Sequence, residues 1–219
     1  MTIEISAKTV KELRERTSAG MMDCKKALQE CNGDFEKAVE TLKQKGLVSA
    51  AKKAARVATE GIIESYIHMG GKLGILVELN CETDFVARRP EFQELAKNIA
   101  MQIAACPNVD YIKTSDIPNE IIQKEKETEM NKNDLDNKPT EIKEKIVEGR
   151  IQKRLKELSL MDQSYIRDSS ILIEELIKEN IAKLGENIQI RRFERFTLGE
   201  GLEKREDNFN EEVNKMLTK

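Results

Sequence analysis

Histidine occurs once in this 219-residue sequence, as His68, and tryptophan does not occur at all. One imidazole leaves almost no room for a Ser-His-Asp or Cys-His constellation, because each is built around a histidine base. Aromatic residues are only 4%, against 35% charged and 39% hydrophobic. So few large rings among so many charges favour amphipathic helices over a β-sandwich or barrel. Cysteine is confined to Cys24, Cys31, Cys81 and Cys106, and no two form a C-x-x-C pair. A zinc site needs about four Cys or His ligands at short spacings. No metal or other cofactor is therefore expected, and the thiols read as reduced core residues. Long apolar runs are missing too. A membrane span needs about 20 apolar residues in succession, and Ile75-Leu76-Val77 is typical of the short runs here. Neither charge sign dominates, with 37 Lys/Arg against 40 Asp/Glu. A chain that binds nucleic acid directly is expected to carry a basic domain or stripe. The start, Met1-Thr2-Ile3-Glu4-Ile5, resembles neither a secretory signal nor an Arg/Ser-rich transit segment, so the protein is expected to work where it is made, away from membranes.

Helical periodicity dominates the beginning of the chain. Residues 6–46 read as three short helices. Val10, Leu13 and Thr17 form a narrow stripe on the first, and Met21, Cys24, Leu28 and Cys31 repeat on the second. Asn32-Gly33-Asp34 supplies a turn and an N-cap. Phe35, Ala38, Val39 and Leu42 follow at helical spacing, and Gly46 is expected to close the helix. An Ala-rich segment, 49–58, reads as a separate linker helix. Residues 1–58 hold 12 Lys/Arg and 8 Asp/Glu, a modest excess expected of a solvated helical surface.

The period then changes to two. Leu73, Ile75, Val77, Leu79 and Cys81 alternate as a strand, with Ile63, Ile67 and Met69 marking its partner and Gly70-Gly71 the hairpin turn. Gly70-Gly71-Lys72 is no phosphate loop, since the G-x-x-x-x-G-K-[ST] spacing is absent and no helix follows. Residues 90–105 read as a helix buried through Phe92, Leu95, Ala96, Ile99 and Ile103. Residues 117–160 read as a projecting helical hairpin broken near 131–139. Its seam of Ile142, Ile146, Val147, Ile151, Leu155 and Leu158 is shared with the other arm or with a second subunit. Residues 169–184 read as a helix stopped by Gly185. Ile188, Ile190, Phe193 and Phe196 read as a strand bulged at Arg191-Arg192, and 203–219 as a short helix carrying Phe209, Val213 and Leu217. The expected class is α+β. It comprises a three-helix module with its linker (1–58), a small antiparallel sheet with packed helices and the protruding hairpin (59–200), and a short C-terminal helix module (201–219).

Two segments stand apart from this scaffold. Leu13-Arg14-Glu15-Arg16-Thr17-Ser18-Ala19-Gly20-Met21-Met22-Asp23-Cys24-Lys25 contains adjacent methionines that cannot both enter a small core. They either fill it irregularly or present a soft contact surface. In Glu78-Leu79-Asn80-Cys81-Glu82-Thr83-Asp84-Phe85-Val86-Ala87-Arg88 a strand ends, Thr83 is placed to cap a helix, and Asp84 suits its positive end. Phe85 then either folds back onto the core or stands out as a knob.

These segments, with Gly185-Glu186-Asn187-Ile188-Gln189-Ile190-Arg191-Arg192 and Gly199-Glu200-Gly201-Leu202, closely resemble the translation elongation factor Ts family over essentially the whole chain. Ser18 departs from the glycine usual in that family. The length resembles the short cyanobacterial and plastid form, which lacks one core subdomain of the long form. The resemblance implies a ubiquitin-associated-like (UBA-like) N-terminal module and guanine-nucleotide exchange on elongation factor Tu, with no enzymatic chemistry of its own. Thr83, Asp84, Phe85 and Val86 would disturb the Mg²⁺ site of the GTPase, with Phe85 as the wedge. Arg14, Met21, Met22 and Lys25 would grip another helix of the same partner. Pairing into a homodimer is implied for short forms. An abundance of Ile, Lys and Asn favours an organelle-encoded plastid protein acting in the stroma, with a bacterial cytoplasm as the other setting. The competing reading is a UBA-type protein-binding scaffold without exchange activity.

Overall fold

The computed structural model describes residues 5–17, 19–132, 134 and 139–202. Three apolar clusters organise them into a mixed α+β fold. The first joins α1 (Ala7–Thr17), α2 (Met21–Glu30) and the front of α3 (Phe35–Lys53) through Val10, Leu13, Cys24, Ala27, Leu28, Ala38 and Leu42. Local caps set the ends of these helices. The Ser6 hydroxyl accepts from the Thr9 amide at 3.0 Å, and the Asp34 carboxylate accepts from the Lys37 amide at 3.1 Å. That backbone N–H, with the Lys37 ammonium beside it, holds the Asp34 carboxyl below its ordinary range. It also meets one of the amides a helix start leaves unpaired.

Gly46 does not end the third helix. α3 continues to Lys53 and takes in part of the segment expected to be a linker helix. The reason is tertiary: a Cβ at Gly46 would lie 3.1 Å from the Cβ of Ala182 on α8 (Ile173–Leu184). The missing side chain lets two helices approach closely where sequence alone suggested a stop. Lys43 pairs with Glu179 of α8 at 3.1 Å beside this contact, and Ala50 enters the main core.

That core lies between a sheet and α5 (Pro90–Ala105). The sheet runs in the order β1 (Glu60–Ile67), β2 (Leu73–Cys81), β5 (Gln189–Thr197), with both pairings antiparallel. Strand alternation puts Ile75, Val77, Leu79 and Cys81 on the inner face, against Phe92, Leu95, Ala96, Ile99 and Ile103 of α5. Ile63, Ile67 and Met69, the residues that marked β1 in the sequence, are exposed; Ile62 and Tyr66 pack inward instead. The expected bulge is present. Glu78 pairs with Arg192 and Leu79 with Ile190, so Arg191 is the extra residue. Both arginines reach the Glu78 carboxylate, at 3.6 and 2.8 Å. Arg195 closes the opposite end of α5. Its guanidinium donates to the carbonyls of Ile103, Cys106, Pro107 and Val109 at 2.7–3.2 Å, the first in the last turn, whose carbonyls a helix leaves unpaired, and the others at its cap and in the loop that follows.

The helix expected over 169–184 starts later, at Ile173. Residues Asp168–Leu172 form a strand, β4, paired with β3 (Ser164–Tyr165). Buried Gln102 on α5 decides this. Its amide donates to the Ser164 carbonyl at 3.0 Å and accepts from the Ile166 amide at 2.8 Å, tying the hairpin down. Gly185 caps α8 with φ +86°.

The third cluster belongs to the hairpin. α6 (Asn119–Met130) lies along α7 (Thr140–Leu158), and Val147, Ile151, Leu155 and Leu158 meet Ile117, Ile121 and Ile122. The seam is thus shared with the other arm of the same chain, while Ile142 is exposed. The C-terminal helix expected over 203–219, and Ser18, lie outside the described residues.

Candidate functional site

β2 delivers the chain to the end of the sheet at Cys81. Glu82 and Thr83 turn it into the single-turn helix α4 (Asp84–Ala87). Thr83 is extended, and its hydroxyl accepts from the Val86 amide at 3.4 Å, the expected cap. Asp84 occupies the first helical position and pairs with Arg88 at 2.9 Å. Phe85 is 77% exposed. Val86 and Ala87 are buried behind it in the main core.

The four residues grouped together from the sequence are therefore divided by the structure. At about 100° per residue, successive side chains of one helical turn cannot share a face. Val86 is buried in the main core, where it anchors the turn. The Thr83 hydroxyl is engaged within the chain. Asp84 and Phe85 are the side chains presented outward, and a ring this exposed contributes little to its own fold.

Sequence reasoning missed the residue that holds this turn. One oxygen of the Glu186 carboxylate accepts from the amides of Glu82 at 3.1 Å and Thr83 at 3.0 Å; the other accepts from the Thr83 hydroxyl at 2.6 Å. Glu82 answers in kind. Its carboxylate accepts from the Asn187 amide at 2.7 Å and faces Arg56 at 3.5 Å. Contacts across about 100 positions leave no local periodicity to find; the Gly185-Glu186-Asn187 run was the one visible trace. Behind the turn, burial and the Glu186 carboxylate push the Cys81 thiol up to about 11. Its nucleophilic thiolate form is correspondingly disfavoured.

The second predicted surface lies on α1 and α2. Arg14 and Lys25 are exposed, Met21 is 42% exposed and Met22 64%. Met21 was expected on the buried stripe of α2. That stripe instead consists of Cys24, Ala27 and Leu28, with Cys31 half-buried, and the small cluster closes without either methionine. Arg16 has a different task, pairing with Glu36 at 2.5 Å and lying over the Phe35 ring. A cleft of about 630 Å³ separates this module from α8, lined in part by Lys43, Lys45, Glu179 and Lys183. None of the predicted contact residues lines it, and Lys43 and Lys45 are already paired, with Glu179 and Glu30.

Among the described residues, no group of three His, Cys, Asp or Glu is arranged to hold a metal ion. Among them too, no helix is long and apolar enough to cross a membrane. The family model described as Elongation factor TS matches residues 3–200.

The chain belongs to the elongation factor Ts family.

It is 74% identical, over 100% of both chains, to the chloroplastic elongation factor Ts of Rhodomonas salina. It is 68% identical to elongation factor Ts of Rippkaea orientalis over 96% of this chain and 84% of that one. With the Synechocystis protein of the same name the identity is 65% over 96% of each. Membership in the elongation factor Ts family makes this a translation elongation factor, and the exposed side chains on α2 and α4 are read in that light.

Proposed function

We propose that this chain is a guanine-nucleotide exchange factor for elongation factor Tu, acting by contact and without bond chemistry of its own. The observation that carries the reading is the exposed Phe85 ring, mounted on a capped helical turn at the end of the sheet. Asp84 and Phe85 enter the GTPase beside its nucleotide and disturb the Mg²⁺ that bridges protein and GDP. Losing that ion removes a dominant local positive charge on the phosphates. Arg14, Met21, Met22 and Lys25 grip the same partner elsewhere. Exchange requires tighter binding to the nucleotide-free GTPase than to the GDP-bound one, and GDP must weaken this protein's grip by the same factor. The plastid and cyanobacterial relatives support a plastid stroma or bacterial cytoplasm as the setting. The test is release of fluorescent GDP from the cognate elongation factor Tu, with and without this chain. Saturable acceleration is expected. Binding without acceleration would leave only the UBA-type scaffold reading.

We also propose that two copies pair through the outer face of the sheet. Ile63, Ile67, Leu76 and Phe196 are exposed there, with Met69 and Leu198 beyond the strand ends. The strand register places Ile67, Gly74 and Phe196 in one row across the three strands. The neighbouring rows of the same face add Leu76 and Ile63 among Ser65, Glu78, Arg192 and Glu194, and a two-fold pair would bury its exposed apolar side chains against their own copies. Light scattering should give twice the 25.0 kDa chain mass, with Leu76→Glu returning it to the single-chain value. A wild-type chain that runs as a monomer at micromolar concentration overturns the pairing.

A further inference from the structure

The Gly185-Glu186-Asn187 turn takes no part in the partner contacts assigned so far, yet it bonds both the Glu82-Thr83 turn that leads into α4 and the chain just past the end of α3. Glu186 binds three donors of the Glu82-Thr83 turn through its two carboxylate oxygens. The Thr83 hydroxyl is thereby oriented: its proton points to Glu186 and its lone pairs remain for the Val86 amide. Next along the chain, Asn187 is buried, and its side chain donates to the carbonyls of Ala54 at 3.4 Å and Arg56 at 2.7 Å, just past the end of α3. Gln189 adds a bond to the Ala54 carbonyl at 3.3 Å. One short turn thus fixes the start of α4 relative to the helix that runs back to the N-terminal module. α4 itself is four residues long, too short to hold its own geometry, because a single turn gains few internal hydrogen bonds for the dihedrals it fixes.

We infer that Glu186 is a positioning residue for exchange. Its carboxylate holds the Thr83–Phe85 turn in the pose from which the ring reaches the partner, so that grip at the N-terminal module is transmitted to the wedge and not lost in movement of the turn. This rests on the exchange reading proposed above. It differs from a simple packing role in what it predicts. Grip depends on Arg14, Met21, Met22 and Lys25, none of which touches Glu186. Loss of the carboxylate should therefore lower the GDP-release rate at saturation and leave the half-saturating concentration nearly unchanged. Gln at this position keeps an acceptor for the two amides and can donate to the Thr83 hydroxyl, so it should preserve most of the function.

The experiment compares the wild-type full chain with Glu186→Ala, Glu186→Gln, Phe85→Ala and the Glu186→Ala/Phe85→Ala double variant. Glu186→Ala should lower the saturating release rate about tenfold, from the loss of charge-assisted hydrogen bonds, with less than about a twofold change in half-saturation. Glu186→Gln should stay within about threefold of wild type. In the Phe85→Ala background, removing Glu186 should cost nothing further, because placement of an absent ring is immaterial; independent structural damage would add. Hydrogen exchange on the chain alone supplies a second readout. The amides of residues 82–88 should lose about tenfold protection in Glu186→Ala, while α5 stays protected. Unchanged protection, additive losses in the double variant, or a loss confined to half-saturation overturns the proposal. No acceleration by the wild-type chain sinks the exchange reading itself, and the hydrogen-exchange arm still decides whether Glu186 holds the turn.

Discussion

Phe85→Ala should leave the chain folded and lower the proposed stimulation of GDP release about tenfold or more. The two halves of this result follow from one number. At 77% exposure the ring makes few contacts within its own chain, so truncation should cost within about 0.5 kcal/mol of stability, as for most surface changes. On the exchange reading proposed above, the same ring would enter an apolar gap of the partner, where full burial contributes roughly 1.5–3 kcal/mol. That corresponds to about one to two decades in an equilibrium constant. Only the share expressed in the nucleotide-free state and absent from the GDP state drives exchange. Stopped-flow release of fluorescent GDP checks the rate, and thermal unfolding checks the fold. A release rate equal to wild type with a normal melting curve would show that the ring is no wedge.

Replacing Met21 and Met22 together by Ala should act on the other axis. The half-saturating concentration should rise about tenfold or more, from the loss of two apolar anchors, with the saturating release rate close to wild type. Stability should hold, because the cluster of Val10, Leu13, Cys24, Ala27, Leu28, Ala38 and Leu42 closes without the methionines and Ala is at least as good a helix former. Titrating the variant against elongation factor Tu, alongside thermal unfolding, separates the outcomes. A melting temperature lowered by several degrees with normal half-saturation would place the methionines in the core after all. Together with the expected Phe85 result, this outcome would divide the proposed contact surface into a part that holds and a part that displaces. A UBA-type scaffold would respond to the methionine changes and not to the ring.

Much of this was legible before any coordinates, and for identifiable reasons. Strand β2 announces itself because one face is buried and the side-chain period is two; its alternation and the following Thr83 cap need only neighbours in the chain. The bulge at Arg191 shows as a slip in that same period. Gly185 ends α8 because its left-handed conformation favours a residue without a Cβ. Local chemistry of this kind is written in adjacent residues.

What tertiary structure decided was each point where two distant segments compete for one backbone. Gly46 reads as a helix stop until Ala182 is placed against it. Residues 169–172 read as helix until Gln102 claims the hairpin. Met21 and Phe85 each allow a core and a surface reading until the size of each cluster is known. Glu186 could not be assigned at all, because its partners lie about 100 residues upstream. Periodicity reports which face of an element is buried and hydrogen-bond chemistry reports where an element ends, and both act over a few residues. Whether a side chain finds room inside, or a carboxylate finds donors, depends on how remote elements pack, and that was settled only when the helices closed on the sheet.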